Sequence, residues 1–170
     1  MLTSAAMRKQ GRLVNEPCWV TVFPGRPRIQ RIEVCIDRCG LKRVDLRVLG
    51  LPEMPRRPAV EVRLELLQLP SALVTPQVQG RFRDDKLVAG NVDQLIALIP
   101  KLSHESYHGP IVALGTKLIC GHGEHWVPFL SMIEKDWMLQ FTTRFQRWNQ
   151  CVRFIAYREG NGYGEWPPGL

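Results

Sequence analysis

The residues best suited to chemistry lie in two short stretches. His104-Glu105-Ser106-Tyr107-His108 matches H-E-x-x-H, in which two histidines one helical turn apart bind zinc and the glutamate serves as general base. That chemistry needs a continuous helix to hold both rings on one face. Pro100 closes any helix before the motif and Gly109-Pro110 closes any helix after it, so the stretch reads as a polar turn. The second group is Cys120, His122 and His125, gathered around a Gly121-His122-Gly123 turn. These three are the metal ligands the sequence would offer, and Cys35 with Cys39 could in principle complete a set of four. No C-x-x-C knuckle accompanies them, and on a strand Cys35 and Cys39 would stand roughly 10 Å or more apart. The expected cofactor is therefore none, with zinc the one candidate kept.

Other catalytic signatures are missing. The chain has no G-x-x-x-x-G-K-[ST], G-x-G-x-x-G or G-x-S-x-G pattern, and Asp84-Asp85 is an isolated acidic pair in a loop. With no positive sign of catalysis, the reading leans away from an enzyme.

Charge is more informative. The chain carries a net +7, and residues 1–60 hold twelve Lys and Arg against five acids, which accounts for all of it; residues 61–170 hold eleven of each sign. Ten of the twelve cations are arginine, the side chain suited to bidentate phosphate or carboxylate contacts. Alternation of the flanking residues pairs Arg43 with Asp37 and Arg47 with Glu33 across two expected strands. That leaves Arg8, Lys9 and Arg12 in the N-terminal arm, and Arg26, Arg28, Arg31, Arg38, Lys42, Arg56 and Arg57 as candidate contacts to an anionic polymer, mostly at turns.

The elements that would position these groups follow from periodicity. Cys18–Phe23 alternates as a first strand, and Pro24-Gly25-Arg26-Pro27-Arg28 is a rigid turn that exposes two arginines. Between Ile29 and Leu67, apolar Ile32, Val34 and Ile36, then Val44, Leu46 and Val48, then Val60, Val62, Leu64 and Leu66 recur with a period of two around a Cys39-Gly40-Leu41 turn. This predicts an antiparallel meander with Ile36 opposite Val44 and Ile32 opposite Val48, and with Glu61, Arg63 and Glu65 facing water. Gly50–Pro58 is an exposed proline-rich link, and Pro70–Asp85 is irregular apart from a short strand at Ala72–Thr75.

Asn91, with Gln94 three residues on, predicts the start of a helix that Pro100 ends. Ile111–Ile119 reads as a buried central strand and His125–Leu130 as its return, placed at an edge by Pro128. Ser131 and Glu134 form a capping box, and Ile133, Trp137, Phe141, Phe145 and Trp148 recur at spacings that make one helical stripe, so residues 132–148 are the larger helix; Thr142-Thr143 weighs mildly against it. Val152–Tyr157 is a last strand.

These elements predict one α+β domain over residues 1–158: a twisted, mainly antiparallel sheet of six or seven strands with two helices packed on it, residues 1–15 forming a basic arm. Residues 159–170 are an irregular glycine- and proline-rich tail whose Tyr163 and Trp166 are the aromatics least explained by packing. No run approaches the roughly 18 apolar residues a membrane span needs, and five scattered cysteines suit reduced thiols, so a cytoplasmic protein is expected. The composition of residues 1–15 would also fit a mitochondrial presequence, which is the minor alternative.

The leading expectation is a non-enzymatic nucleic-acid-binding protein whose arginine-rich first third contacts phosphates, with Trp19 or Trp166 adding stacking if exposed. The alternative is an adaptor or inhibitor docking on an acidic surface of a protein partner. A zinc-binding protein or metallohydrolase is the weakest reading.

Overall fold

Residues 14–53, 58–102 and 109–158 are described by a computed structural model. The expected first strand is present as β1 (Val14–Val22), with Val20 and Val22 buried and Trp19 exposed. The next segment departs from expectation. Residues 28–38 form a helix, α1 (Arg28–Arg38), where alternation had predicted a strand. The buried positions Arg28, Arg31, Ile32 and Cys35 fall at i, i+3, i+4 and i+7, the spacing of one helical face, and the alternating Val34 and Ile36 are left half-exposed on its flanks. Gly40, at a φ of +72°, takes the left-handed turn after the helix that other residues avoid.

The chain then runs through β2 (Leu41–Val44), a 3-10 turn (Leu46–Gly50) and β3 (Val60–Gln68). The expected cross-strand pairs between residues 32–37 and 43–48 therefore do not form. β2 pairs with β9 (Asp136–Thr143) in parallel, and β3 pairs with β1, Val20 opposite Val62. Val62, Leu64 and Leu66 face inward as expected, but Glu65 is also buried and accepts a 2.9 Å bond from Arg158 Nε, because both faces of β3 are covered there.

Beyond β4 (Leu73–Val74), the stretch expected to be irregular contains a second helix, α2 (Thr75–Asp84). Pro76 sits in its first turn, and Val78 and Phe82 are buried one turn apart. After β5 (Leu87–Ala89) comes the helix predicted at Asn91, α3 (Val92–Leu98), extended by a 3-10 turn (Ile99–Lys101). Its capping box is intact, Asn91 Oδ1 accepting from Gln94 N–H at 3.0 Å and Gln94 Oε1 from Asn91 N–H at 2.9 Å. The expected central strand is reduced to β6 (Ile111–Val112) and β7 (Leu118–Ile119). Between them Gly115 N–H bonds Gly90 O at 2.9 Å, and a Cβ on Gly115 would lie 2.4 Å from Ala89 O, so the chain leaves the sheet to pack backbone on backbone.

The largest correction lies in residues 132–148. They form no helix but the hairpin of β8 (His125–Ile133) and β9, closed by Glu134-Lys135 at φ of 51° and 73°. Positive φ at both central residues defines a two-residue turn whose twist suits a tight hairpin. Pro128 is tolerated inside the sheet rather than at its edge. Its carbonyl accepts from Ala113 N–H at 3.0 Å, so its nitrogen faces the interval between β6 and β7, where no ladder donor is required. β10 (Arg147–Trp148) and β11 (Arg153–Arg158) complete the described chain.

The described chain forms one sheet-rich α+β fold with more strands than expected. Nine strands make a mixed sheet along the order β1-β3-β11-β6-β8-β9-β2, with β5 added to β11 and β7 to β8, while β10 and β4 pair separately. β11 with β6 and β2 with β9 are its parallel pairs. α1 and α3 cover one face through Ile32, Cys35, Leu95 and Ile96. On the other face Val78 and Phe82 of α2 meet Phe154 of β11, with the Phe82 and Trp148 rings edge-on to Phe154. No helix among the described residues is long and apolar enough to cross a membrane.

Candidate anion-binding surface

The helical setting of α1 decides where the arginines go. Arg28, only 1% exposed, points into the protein and uses all five of its N–H donors. Nε and Nη2 bond the two oxygens of Asp93 at 2.9 and 3.0 Å, Nη1 bonds Val48 O and Leu51 O at 3.0 and 2.9 Å, and Nη2 also reaches Pro52 O at 2.8 Å. Arg31 is buried beside it. Its Nη2 bonds Asp93 Oδ1 at 2.7 Å and stands 3.6 Å from Glu53 Oε2, while Nε bonds Arg26 O at 3.2 Å. Glu53 Oε1 accepts from the Arg28 backbone N–H at 2.9 Å, capping α1 and placing negative charge at its positive end. This network joins α1, the 3-10 turn, the link after it and α3. The turn expected to expose two arginines therefore exposes only Arg26, whose guanidinium lies 4.9 Å over the Phe23 ring.

Arg38, Lys42 and Arg43 are exposed where α1 passes into the outermost strand β2. Among the described residues none of them has a carboxylate within ion-pair distance, and the same holds for Arg26. Arg26 precedes α1 and Arg38 is its last residue, so they stand at opposite ends of a helix roughly 16 Å long at 1.5 Å per residue. Arg56 and Arg57 lie outside the described residues. Arg47, assigned in sequence to a cross-strand pair with Glu33, instead clasps its neighbour Asp45 through Nε at 3.0 Å and Nη2 at 2.5 Å, and its guanidinium lies 5.0 Å over Trp126 and 5.4 Å over Phe141. The Arg47 bond holds the Asp45 carboxyl below its ordinary range.

The metal candidates are not brought together. Cys120 and Gly123 close a tight turn through a 2.9 Å backbone bond and His122 is exposed on it, whereas His125 is the first residue of β8, its ring edge-on to Phe145 at 5.7 Å. Among the described residues no three His, Cys, Asp or Glu side chains could hold a metal ion. The H-E-x-x-H stretch and the tail with Tyr163 and Trp166 lie outside the described residues; Trp19 is 52% exposed.

Cys35 and Cys39 are one helical turn apart rather than at strand spacing, with Cys39 N–H bonded to Cys35 O at 3.0 Å. Burial first, and then the Cys39 thiol, push the Cys35 thiol up to about 12 from an ordinary 9.0. The unfolded chain therefore ionises this group first. Its contribution to stability is full below pH 9.0 and is lost as pH climbs to about 12. The denaturant midpoint is expected to fall across that window, and Cys35→Ala is expected to lack this part of the fall. Parallel pH profiles for the two proteins would refute it.

Asp93 and Glu53, which organise the arginine network, carried no local sequence signal, since Asp93 acts on residues 65 and 62 positions away. No protein family matches this chain, and neither a curated protein nor a solved structure matches it.

Proposed function

We propose that this chain is a non-enzymatic binding module that contacts nucleic-acid phosphates, largely without regard to sequence, through Arg26, Arg38, Lys42 and Arg43. The observation that carries this reading is the sorting of the first third's cations. Arg28, Arg31 and Arg47 are engaged by Asp93, Glu53 and Asp45, while Arg26, Arg38, Lys42 and Arg43 are exposed without a carboxylate partner among the described residues. Guanidinium and ammonium groups in that state gain by replacing counterions on a phosphate backbone. Basic residues on an outermost strand also discourage edge pairing, so the reading needs a test of its own.

Affinity for a mixed-sequence duplex is expected to fall steeply with salt. Combining Arg38→Ala, Lys42→Ala and Arg43→Ala should weaken binding on every sequence and flatten the logarithmic salt slope by roughly 0.9 for each phosphate that is no longer neutralised. Binding by the triple variant with an unchanged slope removes the proposal. Retention on polyanion columns no greater than that of a neutral protein does the same.

One observation favours the adaptor reading. Ile119 and Phe145 are both strongly exposed and flank His125, Ile119 as its β7 partner and Phe145 through ring contact. A protein that co-purifies in fixed ratio and no longer does so with Phe145→Ser would support that reading instead.

A further inference from the structure

One arginine outside the basic first third is buried without a counterion among the described residues. Arg144 follows β9 and is 8% exposed. Its backbone N–H donates to His125 O at 2.7 Å, one step beyond the Trp126–Thr143 pair, so Arg144 and His125 stand opposite each other across the hairpin. The Arg144 carbonyl accepts from Thr75 Oγ1 at the start of α2, and Trp148 Nε1 donates to the same hydroxyl at 2.9 Å. Backbone contacts therefore lock the residue in place from two elements.

Its side chain, by contrast, bonds nothing among the described residues. Nε is sealed from solvent and unpartnered, and so is Nδ1 of His125. The two Nη nitrogens have no partner among the described residues and are not among the atoms sealed from solvent. No acid stands in the first turn of α2, whose positive end abuts the Arg144 main chain. Burial disfavours the charged guanidinium and lowers its proton affinity. The other buried arginines among the described residues, Arg28 and Arg31, share the Asp93 carboxylate, and Arg31 also stands 3.6 Å from Glu53. A buried cation left without an opposite charge is costly, and folded proteins normally supply one.

We propose that Arg144, flanked by His125, is the receptor for an external oxyanion, the carboxylate or phosphate group of a small ligand, bound through the outward-facing Nη nitrogens. The planar fork of a guanidinium matches two oxygens of one such group, and the anion replaces the missing counterion. Phe145, exposed beside His125, forms an apolar rim on which the rest of the ligand can rest. The site does not depend on the nucleic-acid reading, since no residue of the first third contributes to it.

Titration of the isotopically labelled full chain with inorganic phosphate, acetate and chloride at equal ionic strength tests this. Phosphate or acetate should move the amide signals of His125, Arg144 and Phe145 ahead of all others, and which anion does so identifies the group. Chloride should not. Arg144→Lys keeps the charge while removing the fork and should weaken the effective anion by roughly tenfold to a hundredfold, the worth of a charge-assisted bond. Signals that do not move, that move equally with chloride, or that centre on Arg38 to Arg43 overturn the proposal. So does an Arg144→Lys protein that binds as tightly as the parent. If that variant fails to fold, the parent titration alone decides.

Discussion

Asp93→Asn is expected to destabilise the protein by about 3–5 kcal/mol, the cost of leaving buried charge without its partner. One oxygen of Asp93 accepts from both Arg28 Nε at 2.9 Å and Arg31 Nη2 at 2.7 Å, and the other from Arg28 Nη2 at 3.0 Å. An amide keeps one acceptor, turns two donors toward a guanidinium and carries no charge. Glu53 cannot replace the missing carboxylate: it is half-exposed, 3.6 Å from Arg31, and meets only the backbone N–H of Arg28. For a chain of this length the loss corresponds to a melting temperature lower by roughly 6–20 °C. Glu33→Gln, on the outer side of α1, removes the same charge from water and should stay within about 0.5 kcal/mol. Thermal unfolding of the two variants side by side checks the argument. Equal shifts would mean that the Arg28 and Arg31 network contributes nothing that an exposed acid does not. The nucleic-acid proposal predicts no change in salt slope for either variant beyond what unfolding explains.

Trp137→Ala is expected to cost about 3–5 kcal/mol, and Phe145→Ala less than about 0.5 kcal/mol. A helix over residues 132–148 would place both rings in one buried stripe and predict large losses for both. On the β8–β9 hairpin they part. Trp137 is 0% exposed, opposite Met132 and beside Leu41 of β2, whereas Phe145 lies past the end of β9 and is 69% exposed. Trp137 Nε1 is buried without a partner among the described residues, so Trp137→Phe removes an unsatisfied donor along with some volume and should recover much of the loss. Denaturant midpoints for the three variants are the measurement; a Phe145→Ala loss comparable to that of Trp137→Ala would falsify the hairpin assignment.

Where one local pattern admitted one geometry, the sequence alone determined the element. β1, β3 and β11 are strands where strands were expected, though β3 pairs with β1 and β11 rather than within the expected meander, and Asn91 with Gln94 names a helix start that Pro100 then limits. The regions decided by tertiary structure are those where the pattern fits two periods. Trp137 and Phe141 are four residues apart, which keeps side chains on one face of a helix and equally on one face of a strand. Residues 28–36 carry alternation at Ile32, Val34 and Ile36 together with a helical face at Arg28, Arg31, Ile32 and Cys35. Reading that face requires treating arginines as core residues, which they become only because Asp93, 65 positions away, neutralises Arg28. Charge followed the same division. Composition set the excess of cations, but which of them face water depended on which acids the fold carried to them, because burying a guanidinium is favourable only where an opposite charge and enough acceptors arrive at the same place.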